Sequence, residues 1–110
     1  MPFIDVRLNC SLTAEKEEEL KAGFGRLIEE IPGKTEGSLM MQFSDNCRLW
    51  HGGEKGFPIA LVNVMLLGSS TRAAYQSFSN GCIALLEKEL GVAGNHVYVK
   101  FEEVPNWFWG

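Results

Sequence analysis

Displaced by 58 residues, the chain aligns with itself. Positions 1–52 fall on 59–110 without a gap. Ten of those pairs are identical: Val6/Val64, Leu8/Leu66, Ser11/Ser69, Thr13/Thr71, Gly23/Gly81, Leu27/Leu85, Glu29/Glu87, Gly33/Gly91, Phe43/Phe101 and Gly52/Gly110. Chance at this composition gives about three. Apolar character persists where identity does not, with Ile4 opposite Val62, Ile28 opposite Leu86, Leu39 opposite Val97 and Met41 opposite Val99. Two copies are too few to stack as a solenoid. The 110 residues therefore read as one domain, 1–110, built from two halves of the same element order.

Periodicity supplies the elements. Residues 2–8 alternate, with Ile4, Val6 and Leu8 on one face and Phe3, Asp5 and Arg7 on the other. Thr13 is an N-cap, and Glu15, Glu17, Glu18 and Glu19 follow near the positive helix end. Leu20, Phe24, Leu27, Ile28 and Ile31 then form one helical stripe, which Pro32-Gly33 stops. Residues 39–44 are a second strand. The second half repeats the pattern. An almost wholly apolar strand over 58–67 reads as central and covered on both faces. Thr71 caps a helix with the stripe Phe78, Cys82, Leu85, Leu86 and Leu90, Gly91 ends it, and a strand over 96–102 follows. Gly23 and Gly81 sit at the same point in each helix, where glycine costs about 1 kcal/mol relative to alanine. A close approach to another element would explain both. The expected fold is an α+β sandwich: a duplicated β-α-β unit, with a four-stranded mixed sheet and two helices on one face.

Two helices cover one face only. The other carries Phe3, Asp5, Arg7, Met40, Leu61, Asn63, Met65, Tyr98 and Lys100, too apolar for solvent and too charged for a dry core. The tail over 104–110 adds Trp107, Phe108 and Trp109 with no evident place in so small a domain. An oligomer that covers this face resolves both.

Composition removes several functions. The formal net charge of −4 offers no bulk attraction to phosphate, which argues against nucleic acid. No apolar run is long enough to span a membrane, and the start MPFIDVRLN has no secretory pattern. Cys10, Cys47 and Cys82 are odd in number and widely spaced, which fits a cytoplasmic protein with idle thiols. His51 and His96 stand at no metal-ligand spacing, so no metal site is expected. Nucleophile elbows, P-loops and dinucleotide fingerprints are absent. Arg48 and Arg72 are lone surface candidates for an anion. What remains is Pro2, which follows the initiator methionine and opens an apolar strand at once.

A Met-Pro start on a duplicated β-α-β unit resembles the tautomerase superfamily, and most closely the branch of macrophage migration inhibitory factor. The local matches are Met-Pro-Phe-Ile (1–4), Pro-Gly-Lys (32–34), the strand entering Leu66-Leu67-Gly68, Val-Tyr-Val (97–99) and Phe-Glu-Glu-Val-Pro (101–105), read as a turn. They run in order over nearly the whole chain. The resemblance implies a homotrimer with sites between subunits, and a cofactor-independent tautomerase acting on an α-keto acid such as an arylpyruvate. It implies Pro2, freed by methionine removal, as the catalytic base, and Lys34 as the receiver of the substrate carboxylate. Leu67 would offer its backbone amide, and Tyr98 would be lent by a neighbouring subunit.

The chain departs from the family pattern in places. Lys100 stands where asparagine is frequent, a second cation that would favour a more anionic acid such as a dicarboxylate, unless it pairs with Asp5 or Glu102. Ser38 replaces a pocket aromatic. Ile59 and Val62 replace a cysteine pair credited with redox activity in some relatives. The other readings are a non-catalytic signalling or binding trimer, and another proline-dependent reaction, decarboxylation or dehalogenation of a small acid. The last leans on arginines near the proline, for which Arg7, Arg48 and Arg72 are the candidates.

Overall fold

Alternating burial along residues 2–8 defines the first strand. In the computed structural model, which describes all of residues 1–110, β1 (Pro2–Leu8) buries Ile4, Val6 and Leu8 completely. Thr13 caps α1 (Ala14–Leu27), its hydroxyl accepting from the Lys16 amide at 3.1 Å. A 3-10 turn (Ile28–Glu30) carries the stripe on to Ile31, and a second (Glu36–Ser38) leads into β2 (Met40–Ser44). The second half gives β3 (Ala60–Leu67), α2 (Arg72–Leu90), a 3-10 turn (Gly94–His96) and β4 (Val97–Val104). Thr71 caps α2 through the Ala74 amide at 3.1 Å, and Gly91 ends it at φ +68°, a conformation glycine adopts freely. β4 runs two residues past the expected strand end at 102, through Glu103 and Val104, which were expected in the turn, and the bend comes at Pro105.

The sheet order is β2-β1-β3-β4. β1 runs parallel to β2 with Phe3 opposite Met40, and β3 runs parallel to β4 with Leu61 opposite Tyr98. Each residue of the second pair lies 58 positions beyond its counterpart in the first, so both halves adopt the same register. β1 and β3 pair antiparallel, from Pro2 opposite Leu66 to Leu8 opposite Ala60. Asp5 opposite Asn63 is the pair that the repeat maps onto itself, which puts the local two-fold through the middle of the sheet.

Both helices lie on one face. Phe24, Phe78, Leu20, Leu86, Cys82 and the inward strand residues form a single core. Burying each large side chain contributes about 1.5–3 kcal/mol against its entropy cost. The paired glycines mark where the helices meet. A Cβ on Gly23 would stand 2.7 Å from the Leu85 methyls, and one on Gly81 would collide with the Leu27 methyl. The two contacts are related by the repeat, so glycine is kept at a helical cost to let the helices close.

The opposite face is open. On β3 the outward residues Leu61, Asn63, Met65 and Leu67 are half-buried, so the strand expected to be covered twice is covered once within a chain. Met40 is 67% exposed and Tyr98 64%. In the tail, Phe108 and Trp109 project at 86% and 66%. At the two-fold, Asp5 Oδ1 and Asn63 Oδ1 are buried without a partner, while Asp5 Oδ2 takes Arg7 at 3.2 Å.

The helix contact is testable by thermal unfolding. Gly81→Val is expected to cost about 1–3 kcal/mol by overpacking. The double variant with Leu27→Ala should lose less than the sum of the single losses. Strictly additive losses would mean that the two residues do not compete for one space.

Candidate active site

Pro2 opens β1 and is buried opposite Leu66, at the end of β3. The Leu67 amide donates to the Met1 carbonyl at 3.1 Å, which pins the amino terminus to the end of β3. The turn after α1 brings in the third group. Gly33 adopts φ +82°, the Lys34 amide donates to the Ile31 carbonyl at 3.1 Å, and the Lys34 Nζ then donates to the Leu67 carbonyl at 3.2 Å. Pro2, Lys34 and Leu67 are therefore gathered at one point from three separate elements.

Their electrostatics act on the amino terminus. Burial holds the Met1 amine below its ordinary value, and the charge and hydrogen bond of Lys34 lower it further. A second positive charge in a half-dry site is disfavoured. The arrangement sets an amine of lowered basicity, a cation and a backbone N–H at one strand end.

Tyr98 and Lys100 lie elsewhere in the same chain. β4 pairs Leu67 with Val104, six residues beyond Tyr98, or about 20 Å along the strand. Lys100 lies opposite Asn63 and bonds Glu102 at 3.0 Å, the salt bridge weighed above for it. One chain thus assembles three of the five candidate residues and places two on its open face. Of the three arginines, Arg72 opens α2 five residues after Leu67, and the other two are remote. Arg7 is bound to Asp5, five residues down β1 from Pro2, or about 17 Å. Arg48 lines a cleft of about 730 Å³ at the far end of β1, with Cys10, Cys47, Trp50, Lys55 and Phe57.

The thiols are free, and burial pushes Cys82 up to about 12. No three potential metal ligands stand together. No helix is long and apolar enough to cross a membrane. One cluster had no signal in the sequence. His51 and His96, 45 residues apart, meet with Nδ1 atoms 3.0 Å apart, and His51 Nε2 lies 3.3 Å from the Tyr98 hydroxyl. Only the crossing of the 45–58 loop over the start of β4 brings them together.

The sheet is a duplicated β-α-β unit, opened by a proline with Lys34 and the Leu67 amide at the same strand end. The chain belongs to the macrophage migration inhibitory factor family, whose model matches residues 1–110. Among solved structures, MIF2 of Leishmania major is 28% identical at a TM-score of 0.92, covering 99% of this chain and 93% of its own. The homologue from Prochlorococcus marinus is 24% identical at 0.86, covering 98% and 95%. A protein crystallised after inactivation by 2-oxo-3-pentynoate shares the fold at 14% identity and 0.78, covering 93% and 85%. No curated protein matches the chain in sequence.

In protein that retains Met1, the terminal amine should titrate below a free α-amino group, and Lys34→Ala should move it back up. Amine-selective labelling against pH reads this directly. An unchanged midpoint in the variant would remove Lys34 from the electrostatics of the site.

Proposed function

We propose that the protein is a cofactor-independent keto–enol tautomerase of α-keto acids of the phenylpyruvate type, with Pro2 as general base. The observation that carries the reading is the amine-depressing environment where β1 begins, with Lys34 at 3.2 Å from the Leu67 carbonyl. Removal of Met1 turns the Pro2 nitrogen from an amide into a secondary amine in that environment. It also releases the Leu67 N–H, which in the unprocessed chain donates to the Met1 carbonyl. The departing carbonyl leaves the Leu67 N–H pointing to the place that an oxygen occupied beside the proline nitrogen.

The chemistry then follows from the groups present. The neutral Pro2 amine takes a proton from the carbon next to the substrate carbonyl. Negative charge grows on the carbonyl oxygen, where the Leu67 amide and Lys34 stabilise it or hold the carboxylate. The prolinium returns the proton to the enolate oxygen. The fold neighbour's inactivation by a 2-oxo acid concerns the same compound class. The site closes in a homotrimer in which the open sheet face is covered and a neighbouring subunit lends Tyr98. Lys100 contributes a second cation only by leaving Glu102. Arg7 and the cleft holding Arg48 lie away from Pro2, which leaves Arg72, at the start of α2, as the one arginine for the decarboxylation or dehalogenation of a small acid.

Phenylpyruvate enolisation tests the assignment. Pro2→Gly should lower kcat/KM by about 100-fold or more, and equal rates would overturn the role of Pro2. In the wild type the rate should rise with pH as the amine loses its proton. Because Lys34 disfavours the protonated amine, Lys34→Ala should shift that rise to higher pH while raising KM.

A further inference from the structure

His51 sits on the 45–58 loop, tied by a backbone bridge to Glu54. His96 ends the 3-10 turn before β4, with Phe57 stacked on its ring at 4.1 Å. The imidazole centres are 5.2 Å apart with the Nδ1 atoms at 3.0 Å, so the two nitrogens face each other as donor and acceptor. The other nitrogen of His51 faces the Tyr98 hydroxyl at 3.3 Å. A largely apolar cavity of about 150 Å³ borders the chain of contacts, walled by Leu49, Trp50, Ile59, Ala60 and Leu61. Neither ring has a carboxylate partner. Of the charged groups nearby, Glu54 meets His51 through its backbone, Lys55 lies over Trp50, Arg7 is held by Asp5 and Lys100 by Glu102.

Tyr98, His51 and His96 form one chain of hydrogen bonds. With both rings neutral, two directions are open. The tyrosine can donate to His51, whose Nδ1–H then donates to His96, or every bond can point the other way. With one extra proton on the pair, whichever ring holds it, His51 must carry Nε2–H and donate to the tyrosine oxygen. The tyrosine hydrogen is then free to point away from the loop. A second extra proton sets two N–H groups head-on at 3.0 Å and breaks the contact. We propose that His51, held by His96, is a positioning residue that aims the Tyr98 hydroxyl as a donor when the pair carries a single extra proton. This rests on the reading that Tyr98 reaches a substrate, whose carboxylate would accept that hydrogen.

The relay and the reading are tested separately on the Met-processed full chain. Nitrogen-detected NMR of the two rings should show that protonation of one changes that of the other across their 3.0 Å contact. His51 Nε2 should be protonated in the singly charged state, and His96→Phe should leave His51 titrating alone. Two titrations, each indifferent to loss of the other ring, would overturn the relay. In phenylpyruvate turnover near neutral pH, His51→Phe and Tyr98→Phe should each raise KM about tenfold, as for one hydrogen bond to a charged group. Both should leave kcat in place, and the double variant should be no worse than either. A raised KM in Tyr98→Phe alone would overturn the positioning role, as would an unmoved KM in both. The Pro2→Gly variant, run alongside, judges the catalytic reading independently.

Discussion

The antiparallel pairing of β1 with β3 is the contact on which the rest depends. It joins the two halves at their local two-fold and makes one sheet from two β-α-β units. Its register also fixes the ends. Pro2 is set against Leu66, and Leu67 falls beside the chain terminus. A slip of one residue would turn Ile4, Val6, Val62 and Val64 out of the core. Core packing therefore holds the amino terminus where it is, and no loop has to position it.

Placement has an electrostatic consequence. An amine at a strand start would ordinarily be solvated and protonated at neutral pH. Here burial and Lys34 oppose the charge together, and Lys34 is fixed by its hydrogen bond to the Leu67 carbonyl. The same strand end thus supplies the acceptor that orients the cation and the amide that can meet substrate oxygen. Catalytic power would come from groups already oriented by the sheet.

The fold was legible because the repeat and the strand alternation agree. Ile4 aligned with Val62 is an inward position in both strands, and Gly23 aligned with Gly81 is a helix contact in both helices. Boundaries were less legible. The strand expected over 96–102 runs from Val97 to Val104, because pairing with β3 carries it through Glu103 and Val104. Covering both faces of β3 was inferred from its apolar run, but a single chain has helices for one side only. Of the site, the Pro2, Lys34 and Leu67 cluster followed from resemblance and was assembled by the chain itself. Tyr98 and Lys100 were named with them but lie on the open face. The His51 and His96 contact could not be read, because two isolated histidines 45 residues apart carry no periodic signal.

The central claim is that the amino-terminal proline is a neutral amine near physiological pH because of where the sheet places it. A 15N-proline NMR titration of the Met-processed protein measures that most directly. The account predicts a Pro2 midpoint below the roughly 7.7–8.0 of a free α-amino group. A midpoint at or above that range would contradict it.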